Sequence, residues 1–304
     1  MKKFNFAITD NTVYTGKDAF DKFYSAALLS APSIQSVTLV PNVKSSIKLT
    51  KFDLGNILQA ENCTFSGTGE GTLAQKTFEV CPIKINLSYC RSTFEQNYMN
   101  EFMRPGFSDE VMPALFSDYI LSQVGKTTAQ DVEKVMWKGV GSGSTYPIAL
   151  CEGLESQLAA DADVIDVTAV TITSANVIAE LQKVYDAIPA TVINKPDLRI
   201  FVSTKVAKLY KQAVAAASAE AYYTKNADLT FLGVQLVEAP GMSDNKMVAA
   251  ATSNLVFLTD LMSDWEDVLL LPMRNVTGEP TVRFVANFKI GFGYLYGAEI
   301  VYHN

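Results

Sequence analysis

PALFSDYILSQVGKTTAQDVEKVMWKGVGSGSTYPIALCEGL, residues 113–154, joins the strongest helical signal in the chain to a glycine-rich turn. Pro113 suits the first turn of a helix, where its missing N–H has no partner to lose. Leu115, Phe116, Tyr119, Ile120 and Val124, then Val132, Val135 and Met136, recur at helical spacing. Read to Trp137, the helix is about 37 Å long at 1.5 Å per residue. Gly125 and Thr127–Thr128 are the weak points for a bend, and Gly139 is well placed to end the helix in a left-handed turn. Gly139, Gly141 and Gly143 then alternate. Such a turn either cradles a phosphate or joins two parts of a structural protein.

The phosphate templates fail. A nucleoside-triphosphate loop needs G-x-x-x-x-G-K-[ST], and no lysine follows these glycines. The dinucleotide pattern G-x-G-x-x-G breaks at Ser144 from Gly139 and at Tyr146 from Gly141. It also follows a strand, whereas this turn follows a helix. The glycines read as a helix exit and a candidate hinge.

Bulk properties narrow the function. A chain of 304 residues can bury a large core, and its formal charge of −7 argues against a protein that grips nucleic acid. There is no run of about 18 apolar residues to span a membrane. The start, MKKFNFAITDN, lacks the apolar stretch of a secretory signal. Cys63, Cys81, Cys90 and Cys151 show no C-x-x-C spacing and read as reduced thiols, with no zinc site. The one histidine, His303, is the penultimate residue and predicts a frayed tail. A chain so poor in histidine is a poor host for a Ser-His-Asp or Cys-His site.

Working outward, residues 1–35 read as an extended arm with one helix over residues 16–29. Residues 36–92 read as a long two-stranded hairpin with a flexible tip at Gly67, Gly69 and Gly71. Along its second strand the apolar parity changes at Cys81–Pro82, which predicts a bulge or bend. An isolated hairpin is marginal in water, so one this long should lie on something. A short helix is predicted over residues 94–104. Residues 155–262 alternate helix and strand. A helix runs from Ser174 to Ile188 with Val177, Ile178, Leu181, Val184 and Tyr185 facing in, and another from 204 to about 221. Strands are predicted at 198–203, 230–239, 247–251 and 255–260, and again in VLLLPM, TVRFVANFKIGFG and AEIVY.

Other short words carry little chemistry. Ser45–Lys48 matches S-x-x-K and Ser243–Asn245 matches S-D-N, but the first lies in a strand-like run and K-T-G is missing. Asp161 and Asp163 match the first two ligands of a calcium loop, which then fails at Ile165 and Asp166. Asp264, Glu266 and Asp267 around Trp265 read as a solvated cluster at a strand start. Lys205, Lys208 and Lys211 read as a solvated helix stripe. Nothing assembles a nucleophile, a base and an oxyanion hole, and no catalytic, cofactor or metal residue is assigned.

The order of elements carries the resemblance. An arm, a long hairpin, a spine helix ending in MWKGVGSGSTYPIALCEGL, an α/β segment with FLGVQLVEAPGM, and closing strands in FKIGFGYLYGAEIVY together resemble the major capsid protein of tailed bacteriophages. That fold is shared with the herpesvirus capsid floor and with encapsulins. The resemblance implies an α+β fold in four parts: an N-terminal arm (1–35), an extended hairpin loop (36–92), a peripheral domain with the spine helix (93–154 and 263–304), and an axial α/β domain (155–262).

The implied function is structural. Copies would assemble as pentamers and hexamers into an icosahedral shell around double-stranded DNA, without specific DNA binding, in the host bacterial cytoplasm. The implied partners are other copies, a separate scaffolding protein, a portal and decoration proteins. The alternatives are an encapsulin-type shell around a cargo enzyme and a carboxylate-dependent α/β enzyme. Some relatives crosslink a hairpin lysine to a neighbour's asparagine; here Lys76 with Asn275 or Asn287 would have to serve, and no base carboxylate can be placed beside them.

Overall fold

The computed structural model describes residues 14–15, 32–54, 57–58, 60–61, 63, 71–90, 114–217, 229–260, 268–273 and 276–304. In chain order these form β1 (Tyr14–Thr15), β2 (Thr38–Val40), β3 (Ile47–Leu54), β4 (Gly71–Phe78), β5 (Cys81–Cys90), α1 (Ala114–Lys138), α2 (Leu154–Ala160), β6 (Ile165–Val167) and α3 (Val177–Asp186). There follow β7 (Leu198–Ser203), α4 (Thr204–Ala217), β8 (Thr230–Phe231), β9 (Val234–Ala239), β10 (Met247–Ala251), β11 (Leu255–Thr259), β12 (Val268–Pro272), β13 (Thr281–Tyr294) and β14 (Val301–His303). The helices predicted over residues 16–29 and 94–104 lie outside the described residues.

The chain divides into two compact units. One holds Met1–Ser30, Pro82–Ala129 and Asp260–Phe288; the other holds Ala31–Cys81, Gln130–Thr259 and Lys289–Asn304. In the first unit β12 lies antiparallel to the opening part of β13, and β1 pairs with β12. Within β5, Ile83 is buried and Ile85, Leu87 and Tyr89 are half-buried, while the residues between them are exposed. The alternation predicted for this stretch is therefore present, and the break between β4 and β5 falls at Glu79–Val80, just before the predicted Cys81–Pro82.

The second unit is built on a six-stranded sheet of order β6-β14-β10-β7-β9-β8. Val177, Leu181 and Val184 of α3 and Val206, Ala207 and Ala213 of α4 pack with Ile200, Val202, Met247, Ala249 and Val301. The intervening Phe201 points elsewhere, its ring 5.5 Å from that of Trp137 on α1. A sheet covered on both faces needs apolar residues at every position. MVAAA of β10 is accordingly buried throughout, and LRIFVS of β7 is buried except at Arg199. A smaller core of Val43, Phe78, Val256 and Leu258 lies where β11 pairs antiparallel with the end of β13 and parallel with β2.

Four local expectations are corrected. The helix predicted from Ser174 begins at Val177, because Asn176 Oδ1 accepts from Thr173 N at 2.6 Å and holds the preceding residues in a turn. Ile178 on that helix is 45% exposed, since the buried stripe runs through Val177, Leu181 and Val184. The strand predicted over 230–239 is a tight hairpin, because Leu232 and Gly233 both take positive φ (46° and 87°), the geometry of a two-residue turn.

The fourth correction is His303. It is fully buried in β14, which lies between β6 and β10. Its Nε2 is 3.3 Å from Glu180 Oε2 and its Nδ1 is 3.1 Å from the Asn245 carbonyl. Burial by itself would raise the Glu180 carboxyl. Hydrogen bonds from Lys183 and His303, with their charges, outweigh it and hold the group below the usual carboxylate range. Without the imidazole, Glu180 Oε2 and the Asn245 carbonyl lose a buried partner while Lys183 stays on Glu180 Oε1, so His303→Ala should cost about 2 kcal/mol. Urea unfolding of the two proteins measures it. A loss under about 0.5 kcal/mol would mean that the tail is as expendable as its position suggests.

Candidate functional site

The site is the exit of α1 and the hairpin base, both within the second unit. The last turns of α1 are among the most buried in the protein: Val132, Val135, Met136 and Trp137 are 3% exposed or less. Gly139 N still donates to Val135 O at 3.0 Å. The chain then loops out and returns. Val140 N donates to Ile148 O, Gly141 N to Cys151 O and Gly153 N to Gly139 O, all at 2.9–3.0 Å, while Ser156 Oγ donates to Gly139 O at 2.7 Å. The loop is thus closed on itself, with both its ends on the helix terminus.

Glycine is required there for a reason the sequence did not show. A Cβ on Gly153 would stand 2.5 Å from Gly139 N and 2.6 Å from Val135 O. One on Gly139 would stand 2.6 Å from Val135 O and run into Cys151 O; one on Gly241 would run into the Glu133 carbonyl. Gly139 does not take the left-handed turn expected of it; its role is close approach. Gly141 and Gly143 do take positive φ (63° and 104°), and Gly143 has open space around it.

A buried carboxylate supports the same turns. Ser33 Oγ donates to Glu133 Oε1 and accepts from Trp137 Nε1 at 3.0 Å. Glu133 Oε2 is buried without a hydrogen-bond partner. Burial pushes the Glu133 carboxyl above its ordinary range, and the bonds to Ser33 and Trp137 offset this only in part. The end of the predicted arm is therefore a fixed point, with Ser33 and Ile34 both buried. The available signal was Glu133 itself, an acid placed next to Val132 and three residues before Met136 on the apolar side of the helix.

The hairpin is seated by the same unit. β3 and β4 pair from Ile47↔Phe78 to Leu54↔Gly71. Directly opposed residues share a face. At the base, Ile47, Leu49 and Phe78 turn toward the Val256–Leu258 core. Lys76 Nζ lies 3.5 Å from the Tyr294 ring centroid and 3.9 Å from Asp161 Oδ2. Tyr294 OH donates to Asp161 Oδ2 at 2.6 Å, and Asp161 Oδ1 accepts from Asp163 N at 3.0 Å. Burial first, then Asp161, pushes the Tyr294 phenol well above its usual range. The Asp161–Asp163 pair is thus a turn that holds Tyr294 and the hairpin lysine.

Toward the tip the apolar parity shifts by one residue. Phe52 opposes Leu73, and Leu54 opposes Gly71, on the other face of the ribbon. Phe52, Leu54 and Leu73 are 53–65% exposed. The Phe52 ring covers Gly71. Gly67, Gly69 and Asn275 lie outside the described residues, and Asn287 is exposed on β13.

The cysteine reading is corrected. Cys81 and Cys151 form a disulfide with Cα atoms 5.9 Å apart across 70 residues of sequence. The bend after β4 meets the exit loop only in the folded chain, so spacing could not reveal the pair. Cys63 and Cys90 are exposed. Of the other short words, Ser45 precedes a strand, and Ser243 N donates to Glu155 Oε1 at 2.6 Å in a loop. Lys208 and Lys211 are exposed on α4, with Lys211 Nζ 4.0 Å from Glu238. The Asp264–Asp267 cluster lies outside the described residues.

No protein-family model and no curated protein matches the chain. Solved structures do. A chain of the satellite phage P4 procapsid aligns over 88% of this chain and 93% of its own, at 14% identity and a TM-score of 0.53. A chain of the empty GTA particle capsid aligns over 90% and 89%, at 12% identity and a TM-score of 0.57. The virus-like particle from Pyrococcus furiosus aligns over 95% and 97%, at 12% identity and a TM-score of 0.52. What is shared at such identities is the fold: the α+β architecture of phage capsid proteins, over nearly the whole chain.

Two outcomes follow from the helix exit. Gly153→Ala and Gly241→Ala should each cost more than about 3 kcal/mol, since a backbone must move, and Gly143→Ala no more than about 1–2 kcal/mol for its positive φ. Thermal melts rank them. A folded Glu133 with a raised pKa adds stability that is complete below its unfolded value and lost as pH rises through the folded one. Glu133→Gln should therefore gain on the wild type in melting temperature as the pH rises above about 4. A constant gap across that range would contradict the assignment.

Proposed function

We propose that this chain is a shell-forming structural protein, a phage major capsid protein that assembles as pentamers and hexamers into an icosahedral particle around double-stranded DNA. The observation that carries the reading is the outer hairpin. A two-stranded ribbon is marginal alone, yet this one presents Phe52, Leu54 and Leu73 to solvent on the face opposite the one its base buries. Such a ribbon gains its stability from a neighbour, and ring-closing contacts between copies supply one. The capsid fold over nearly the whole chain supports the same reading. A formal charge of −7 suits a wall that encloses DNA without gripping it.

In this reading residues 36–92 are the extended loop, 155–262 the axial domain, and 93–154 with 263–304 the peripheral domain. Assembly takes place in the host bacterial cytoplasm with a separate scaffolding protein, a portal and decoration proteins. Gly141 and Gly143 are the turn at which the exit loop can flex, while Gly139 holds the helix end fixed.

Negative-stain microscopy of the purified protein, alone and with a candidate scaffold, should show closed particles, and protein that stays monomeric in both would overturn the proposal. Nucleic acid extracted from particles supports a capsid, and an enclosed enzyme an encapsulin-type shell. Phe52→Ser with Leu73→Ser, or deletion of residues 60–75, should leave the melting temperature within about 3 °C of wild type but abolish particles. Normal shells from either variant would remove the hairpin from the assembly contact.

A further inference from the structure

We propose that Cys81 and Cys151 form a redox-gated clip that fastens the bend of the hairpin to the exit loop of α1. Cys81 is the first residue of β5, three residues past the end of β4. Cys151 lies in the returning limb of the exit loop, its carbonyl accepting from Gly141 N. Their Cα separation of 5.9 Å is within the range that a disulfide bridges. The surroundings hold them there without the bond. A Cβ on Gly291 would stand 2.5 Å from Glu79 O, so the backbone of the bend lies directly against β13. Cys151 Sγ is itself 3.7 Å from Ile290 O. The bend, the exit loop and β13 converge on one point, and the sulfur bond is the covalent tie between the first two.

Exposure orders the chemistry. Cys81 is half-buried, whereas Cys151 is 1% exposed. In a reducing cytoplasm both are thiols. On exposure to a low-molecular-weight disulfide such as oxidised glutathione, the Cys81 thiolate attacks one sulfur and expels a glutathione thiolate, leaving a mixed disulfide on Cys81. Cys151 gives its proton to solvent, and its thiolate attacks the Cys81 sulfur and expels the second glutathione thiolate. Two protein thiols are oxidised and one glutathione disulfide is reduced to two thiols. Cys63 and Cys90 are exposed and serve as internal controls. The loop that the clip closes is 70 residues long and carries the whole of α1. A closed clip therefore ties the hairpin base to the helix exit, and an open one leaves that junction to non-covalent packing.

The chemistry of the clip stands on the geometry alone; its timing, open during assembly and closed after release from the host, rests on the shell reading. The full-length protein is equilibrated with reduced or oxidised glutathione, alkylated, digested and read by mass spectrometry. Amide exchange and melting are measured on the same samples. After oxidation the expected product is a linked Cys81–Cys151 peptide, with Cys63 and Cys90 alkylated or glutathionylated. Amides of residues 78–83 and 148–153 should exchange about tenfold more slowly than in reduced protein, and melting should rise by about 5 °C. The Cys81→Ser/Cys151→Ser variant should behave as the reduced protein in both buffers; reduced wild type supplies the same comparison without a substitution. Oxidised protein with no linked peptide, or with the link but unchanged exchange, overturns the clip. Particles whose Cys81 and Cys151 remain alkylatable after oxidation sink the clip and leave the shell reading intact. A clip that forms in protein that never assembles does the reverse.

Discussion

The structure depends on backbone meeting backbone at the end of α1. Gly139, Gly153 and Gly241 each place a chain where a single methyl group would collide with a carbonyl or an amide of another segment. The exit loop and the Pro240–Ser243 turn can therefore lie directly on the helix terminus. Trp137 fills the adjoining space against Phe201, tying the helix end to the central sheet. The glycines at the contact give the chain contact distance, and the free φ belongs to the two that follow at Gly141 and Gly143. That separation gives one stretch both a rigid and a pliant part.

Two acids show how the unit fixes its chain ends. Glu133 holds Ser33 at the close of the N-terminal segment, and Glu180 holds His303 near the C-terminus. Their environments push them in opposite directions. Glu180 has Lys183 and His303 as cationic or donor partners and stays ionised readily. Glu133 has only neutral donors and one oxygen with no partner, so burial dominates. A buried acid without a cation costs stability at neutral pH. It also makes the seating of Ser33 specific, because only a hydroxyl that both donates and accepts can serve Glu133 and Trp137 together.

The periodic parts of the fold were legible. The helix from residue 113 to 137, the inward parity of Ile83, Ile85, Leu87 and Tyr89, and the strands of the central sheet all follow from local spacing. What stayed hidden depends on non-local partners. His303 looked like a tail residue because its pocket is made by Glu180 and Asn245, some 123 and 58 residues away. Cys81 and Cys151 looked like isolated thiols because the bend and the exit loop meet only after folding. The hairpin at Leu232–Gly233 hid within an unbroken apolar run, since Leu232 is an unusual residue at positive φ.

The hairpin shows why parity deserves reading as closely as period. Ile47 and Leu49 are separated from Phe52 and Leu54 by an odd number of residues, and an odd step moves a side chain to the opposite face of a strand. A ribbon with all its apolar residues on one face could fold back on its own unit along its whole length. This one cannot: its base is held by Phe78, by Lys76 on Tyr294 and by the Cys81–Cys151 tie, and that anchoring turns Phe52, Leu54 and Leu73 outward. The firmer the base, the less able the tip is to bury itself, so the same contacts that stabilise the single chain keep its apolar tip exposed.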